Sequence, residues 1–162
     1  TVRLETYCGD EGIDNVDFLK IDTEGFDLFV LRSFPWSLCA PSAVLCEFED
    51  AKTTQVGYTT EELAEYLIER GYTVLVSEWH PISRYGVVHS WRRMFRWGEQ
   101  SASLGEAWGN LIAFADPTCV DRALKLLPAL LKPRGTVNPT VRARLAIMRM
   151  QAGDRSPVSV RG

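Results

Sequence analysis

Short apolar runs alternate along this chain with segments whose apolar residues recur every three or four positions. A short apolar run predicts a buried strand, and a three-to-four spacing predicts a helix with one buried face. The first two runs end in acidic residues, which places carboxylates where those strands stop. The predicted strands are residues 16–22, 43–49, 72–79 and 109–115.

The segment after the first strand carries the signals of a helix. Thr23 can act as an N-cap, and Glu24 suits the positive end of a helix dipole. Apolar residues then recur at helical spacing up to Pro35, which cannot continue a helix. The sequence therefore predicts a helix that opens at Thr23 and is stopped by Pro35.

Two later helices have clear ends. Thr59 and Glu62 have the spacing of a capping box, in which each residue's side chain binds the other's backbone N–H. Gly71 suits the left-handed position that ends such a helix. A further helix is predicted over residues 117–131, opened by Asp116.

The order of these elements predicts the sheet. Helical crossovers between the first three strands make those strands parallel. The loop predicted over residues 81–108 contains no helical crossover, so we expect strand 109–115 to be antiparallel and to lie beside strand 72–79. The fold class is therefore α/β, with parallel strands and an antiparallel last strand.

We divide the chain into residues 1–131, one domain, and residues 132–162, a helical or partly disordered tail. Within the tail, residues 139–150 have the spacing of one more helix, and the polar end is expected to fray.

Composition excludes several classes of protein. The formal net charge is −3 over 162 residues, which argues against a nucleic-acid binder. No apolar run is long enough to span a membrane. The four cysteines form no CxxC motif and no zinc spacing, and Cys39 and Cys46 lie in apolar stretches. We therefore expect reduced, buried thiols and a cytoplasmic protein.

The first strand and the turn after it carry a specific motif. Residues 17–27, DFLKIDTEGFD, followed by Val30 and Leu31, resemble the signature of the FkbM methyltransferases, roughly D-F-L-K-I-D-x-E-G-x-E…V-L. The end of the second strand and the glycine that ends the next helix also fit this family. The resemblance extends over about residues 1–116.

The resemblance implies an enzyme that uses S-adenosylmethionine and usually methylates oxygen, here a hydroxyl of a sugar, another glycan or a secondary metabolite. It also implies a Rossmann-like class I methyltransferase sheet, in which the four predicted strands match the fourth to the seventh. Residues 1–131 would then be the C-terminal part of the domain, because the G-x-G-x-G loop that cradles the cofactor does not occur in this sequence. The alternative is a non-catalytic or partner-dependent fragment that binds ligand without methyl transfer. The exposed edge of the first strand would favour a homodimer.

Four carboxylates lie where the first two strands end. Asp22 and Glu24 follow the first strand, and Glu47 and Glu49 end the second. Ligands bind at this edge of open α/β sheets, and neighbouring strands lie about 4.8 Å apart, so these side chains are expected to converge. Asp22, Glu24 and Glu47 are candidate catalytic residues, with one of them as general base. Asp22 is also the candidate cofactor ligand, and Asp22, Glu47 and Glu49 can hold a divalent cation such as Mg²⁺.

Two of these acids and the neighbouring Lys20 also have a structural interpretation. Glu24 can stabilise a helix N-terminus, and Asp22 can cap a turn. Lys20, unusual inside an apolar strand, can pair with one of the acids or extend its stem along the surface.

The predicted loop supplies a second group of candidates. His80 or His89 can serve as the base, since imidazole exchanges a proton near neutral pH. Arg84, Trp91 and Arg92, together with His89, are candidate contacts to the acceptor, because aromatic rings stack on sugars and arginine pairs with anions. The alternative is a solvated loop that its Trp and Arg side chains anchor to the core.

Overall fold

The structure is a computed structural model that describes residues 1–81, 90–99 and 107–131. These residues form an α/β fold around one mixed five-stranded sheet. Within the described residues, no helix combines the length and the apolar character needed to cross a membrane.

The sheet has one parallel pair of strands, and its other pairs are antiparallel. Its spatial order is β1-β2-β5-β3-β4. The strands are β1 (Phe18–Lys20), β2 (Ala43–Glu49), β3 (Thr73–Trp79), β4 (Trp91–Arg96) and β5 (Trp108–Phe114).

The helices are mostly short and connect the strands. They are α1 (Leu4–Asp10), α2 (Asp27–Arg32), α3 (Trp36–Cys39), α4 (Asp50–Thr53), α5 (Thr60–Ile68) and α6 (Pro117–Leu131), with a 3₁₀ turn at Thr54–Val56.

The predicted sheet topology is confirmed. β1 and β2 are parallel, and β5 is antiparallel to both of its neighbours, β2 and β3. β2 and β3 therefore run in the same direction with β5 between them, and the carboxyl ends of β1, β2 and β3 lie at one edge. The continuous loop predicted over residues 81–108 is wrong, because β4 lies within it and pairs with β3. The segment WRRMFR lacks the clean apolar alternation that marks a half-buried strand, so its pairing was not visible in the sequence.

The helix predicted from Thr23 starts later, at Asp27. The reason lies in the turn, where Glu24 has φ of 54° and Gly25 has φ of 99°. Neither value is compatible with a right-handed helix. Thr23 is therefore not a helix cap, and Glu24 does not lie in the first turn of a helix.

The predicted ends of α5 are confirmed. Thr59 and Glu62 form both hydrogen bonds of the capping box. At the other end Gly71 has φ of 86° and donates its N–H to the carbonyl oxygen of Ile68, and Tyr72 donates to Leu67. This is the hydrogen-bond pattern of a Schellman motif.

The core lies between one face of the sheet and helices α2 and α5. Every second residue of a strand points to this face, and every third or fourth residue of a helix points back to the sheet. The core is made of these residues. Its fully buried members include Leu28, Leu31, Val44, Cys46, Leu63, Leu67, Val76 and Leu111.

The four thiols are free, and three of them, those of Cys8, Cys39 and Cys46, are buried. Burial raises the pKa of the Cys46 thiol far above its ordinary value. The prediction of reduced, buried thiols that pack as small hydrophobic groups is therefore confirmed for these residues.

The chain divides into a compact unit of residues 1–126 and a second unit that begins at Leu127. Of the second unit the structure describes only the end of α6. The predicted tail, residues 132–162, and its helix at 139–150 lie outside the described residues.

Candidate active site

Three carboxylates from two parts of the chain meet at the carboxyl edge of β1 and β2. Asp22 follows β1, Glu24 lies in the turn before α2, and Glu47 lies in β2. One carboxylate oxygen of each lies within 4.8 Å of the others. We call these three residues the acidic rim. The predicted convergence of Asp22 with an acid at the end of β2 is confirmed.

Two lysines neutralise part of this charge. Lys20 donates a hydrogen bond from Nζ to Asp22 at 2.8 Å, which settles its role as a partner of a rim acid. Lys52 lies 2.6 Å from a Glu24 oxygen and 2.8 Å from a Glu49 oxygen. Burial alone would lower the pKa of Lys52, but its hydrogen bonds to Glu24 and Glu49 raise it well above its ordinary value.

Glu49 was predicted to share a cation with Asp22 and Glu47, but it is not a member of the acidic rim. It lies two residues beyond Glu47 on the same face of β2, and its carboxylate binds Lys52. The carboxylates that the described residues bring within 4.8 Å of one another are those of Asp22, Glu24 and Glu47. Carboxylate oxygens of this kind suit Mg²⁺, although the two lysines already bind two of the three acids.

Glu47 is the rim acid whose proton affinity is raised. Burial raises its pKa above the ordinary value, the charges of Glu24 and Asp22 raise it further, and Lys52 opposes the shift. A carboxylate with a raised pKa is a better proton acceptor near neutral pH. The raised pKa of Glu47 suits a group that accepts a proton.

Tryptophans continue the same edge beyond β2. The register pairs Glu49 with Trp108 of β5, and Trp108 with Trp79 of β3, so all three side chains share one face of the sheet. The rings of Trp79 and Trp108 stack with centroids 5.6 Å apart. Trp91 of β4 pairs with Trp79 and donates from Nε1 to the Ser77 hydroxyl at 3.3 Å.

His80 directly follows β3 and is exposed at this edge. Its backbone is fixed, since its N–H donates to Ser90 and its carbonyl oxygen accepts from the Trp108 indole. Because β5 separates β3 from β2, His80 lies about two strand spacings, roughly 10 Å, from the β2 end of the rim. The fold places His80 at the same edge of the sheet as the acidic rim, but not next to the rim carboxylates.

Arg92, predicted to bind the acceptor, pairs with an acid of the protein itself. Glu78 is fully buried, and its two carboxylate oxygens accept from Arg92 at 2.7 Å and from Arg93. The register between β3 and β4 shifts between Glu78 and Trp79, next to this contact of two consecutive arginines with one carboxylate. This paired cluster joins β3 to β4. Of the other predicted acceptor contacts, Trp91 lies in β4, and Arg84 and His89 lie outside the described residues.

Sequence reasoning missed four residues that shape this region. Lys52 and Tyr58 approach the turn from the segment after β2, and their positions depend on a chain reversal that no local pattern reveals. Glu78 gave a signal, as an acid inside an otherwise apolar strand. Asp27 also gave one, as the last acid of the motif, but its helical setting hid its role.

Comparison with known protein families completes the description of the site. Residues 1–74 match the family model of the methyltransferase FkbM domain. This segment is therefore similar to the FkbM methyltransferases. The match confirms the resemblance carried by residues 17–27 and contains the whole acidic rim, while His80 and the tryptophans lie beyond it. No curated protein and no solved structure matches the chain.

Proposed function

We propose that this protein is an S-adenosylmethionine-dependent O-methyltransferase whose acceptor is a hydroxyl of a sugar or a secondary metabolite. The observation that carries the proposal is the convergence of Asp22, Glu24 and Glu47 inside the segment that matches a methyltransferase family. The strand order, with β5 antiparallel between β2 and β3, supports a class I methyltransferase sheet. We further propose that the enzyme acts in the cytoplasm.

The rim suits the methyl donor that is usual in this family. S-adenosylmethionine supplies an electrophilic methyl group on a positively charged sulfonium. The Asp22 side chain is half exposed at the carboxyl end of β1, where ligands of open α/β sheets bind. With Glu24, Glu47 and Glu49 it gives this edge more acids than the two lysines neutralise, which favours a positively charged ligand.

The acceptor oxygen must lose a proton when it receives the methyl group. Glu47 is suited to take that proton, because burial and the neighbouring acids raise its pKa. Asp22, held by Lys20, would orient the cofactor or the acceptor hydroxyl. If a divalent cation takes part, Asp22, Glu24 and Glu47 would hold it and Lys52 would have to release Glu24.

The test is methyl transfer by Asp22→Asn in the full-length protein. We expect turnover to fall on the order of 100-fold, since a positioned carboxylate contributes at least that much to proton transfer or orientation. Transfer from methyl-labelled S-adenosylmethionine would be measured against a panel of methyl glycosides and phenols. Urea unfolding would show that stability changes far less than activity.

The matched control is Glu65→Gln, which removes an exposed carboxylate on α5 and should leave turnover unchanged. Unchanged turnover in Asp22→Asn, with stability intact, would remove Asp22 from the mechanism. If the unaltered protein transferred no label to any acceptor, the non-catalytic alternative would replace the enzyme.

A further inference from the structure

The turn that carries two of the three rim acids has an unusual backbone. Glu24 and Gly25 follow one another with φ of 54° and 99°. L-residues rarely adopt the first value, and a side chain at Gly25 would press on the Cβ atom of Lys52, 3.2 Å away. Such a conformation persists only where surrounding groups hold it.

Asp27 holds the turn from its α2 end. Its side chain is fully buried, and Oδ1 accepts hydrogen bonds from the Thr23 N–H at 3.1 Å and from the Thr23 hydroxyl at 2.9 Å. Thr23 lies between Asp22 and Glu24, so both bonds fix the residue that joins the two rim acids.

The Asp27 carboxylate has few hydrogen bonds to offset the free energy that its burial costs. Oδ2 is buried, and no hydrogen bond of good geometry reaches it from any described residue. Burial raises the pKa of Asp27, and the bonds from Thr23 together with the nearby backbone N–H of Glu47 only partly oppose this shift. A buried, half-satisfied carboxylate costs stability, so its contribution to packing does not explain its presence.

Tyr58 holds the same turn at Gly25. It is 3% exposed, and its hydroxyl donates to the Gly25 carbonyl oxygen at 2.9 Å. The ring is fixed by an edge contact with Phe29, with centroids 5.9 Å apart. Burial raises the pKa of Tyr58 to about 12, so the hydroxyl remains a donor throughout the physiological range.

We propose that Asp27 and Tyr58 are positioning residues that lock the turn between β1 and α2, so that Asp22 and Glu24 meet Glu47. Neither reaches the reacting atoms; each acts through the backbone of the turn. The catalytic consequence rests on the proposed function, whereas the structural part, a turn held by two buried groups, does not.

The test compares Asp27→Ala, Asp27→Asn and Tyr58→Phe. In Asp27→Ala the Thr23 amide loses its acceptor, and we expect its hydrogen exchange to quicken by about tenfold or more. Asp27→Asn keeps a carbonyl oxygen that can accept from Thr23, so exchange should return close to that of the unaltered protein. Tyr58→Phe releases the Gly25 carbonyl and should also quicken exchange at Thr23, more weakly. The Leu63 and Leu67 amides of α5 serve as the internal reference.

Variants that quicken hydrogen exchange at the Thr23 amide should also have a lower turnover. We expect kcat to fall on the order of 100-fold in Asp27→Ala and to recover in Asp27→Asn, since small displacements of catalytic groups have effects of this size. A purely structural residue would instead quicken exchange at Thr23 and in α5 together, and that result would overturn the proposal.

Two further outcomes are decisive. Unchanged Thr23 exchange in a folded Asp27→Ala or Tyr58→Phe protein would overturn the proposal, and Tyr58→Phe carries the test alone if Asp27→Ala does not fold. If the unaltered protein shows no methyl transfer but the turn loosens as expected, the proposed function fails while the positioning role stands.

Discussion

At the scale of single residues, the site is defined by carboxylates whose neighbours set their proton affinity. Burial raises the pKa of both Asp27 and Glu47, while Lys20 and Lys52 bind the more exposed acids around them. The folded protein therefore carries two carboxylates that are harder to ionise than in the unfolded chain. This difference makes stability depend on pH.

The sign of that dependence gives a test at Asp27. Because its pKa is raised on folding, the folded state binds more protons than the unfolded state just above the ordinary carboxyl pKa. The contribution of Asp27 is thus full at lower pH and is lost as pH rises through the folded pKa. We expect the free energy of unfolding, measured in urea across this range, to fall more with rising pH in the unaltered protein than in Asp27→Asn. A difference between the two proteins that stays constant with pH would contradict this assignment.

The sequence predicted that Asp22 and Glu47 lie close together, because both residues are near the carboxyl ends of strands that share one edge of the sheet. It did not predict Lys52, whose reach to Glu24 depends on the fold of the chain after β2. It also missed the pairing of Glu78 with Arg92 and Arg93, since that contact needs β4, a strand recognised only through its partner. The local sequence pattern thus predicted the position of the acidic rim. The partners of the acids could not be predicted, because they are distant in sequence.

At the scale of elements, β5 lies between β2 and β3 and packs tightly against both at Gly109. Gly109 faces Phe48 of β2 and Glu78 of β3 in the register. A Cβ atom there would overlap the Ser77 carbonyl oxygen and lie 3.0 Å from the Phe48 ring. The glycine is required by the close approach of β3 and β5.

Gly109→Ala should therefore destabilise the protein by about 1–3 kcal/mol or more, the usual cost of overpacking. Gly9→Ala is the matched control, because a Cβ atom at this position in α1 meets nothing within 4 Å. There alanine should be neutral or stabilise by up to about 1 kcal/mol through its higher helix propensity. Urea unfolding measures the free energy of unfolding of both variants. Equal values would contradict the close approach of β3 and β5 at Gly109.

At the scale of the whole molecule, the sheet has an open side next to the rim. Among the described strands β1 pairs only with β2, and Phe18 on β1 is 54% exposed. An apolar, unpaired edge tends to pair with another strand. We propose that the isolated chain associates as a homodimer through this edge, and that the glycine-rich part of the cofactor site lies elsewhere in the full protein.

The most direct test of the account is calorimetric titration of S-adenosylhomocysteine into the longest form of the protein that the gene encodes, beside the 162-residue chain. The account predicts one-to-one binding at micromolar affinity by the long form, weakened by Asp22→Asn, and weak or no binding by the shorter chain. Micromolar binding by a monomeric 162-residue chain would show that the cofactor site is complete within it. No binding by either form would contradict the methyltransferase proposal itself.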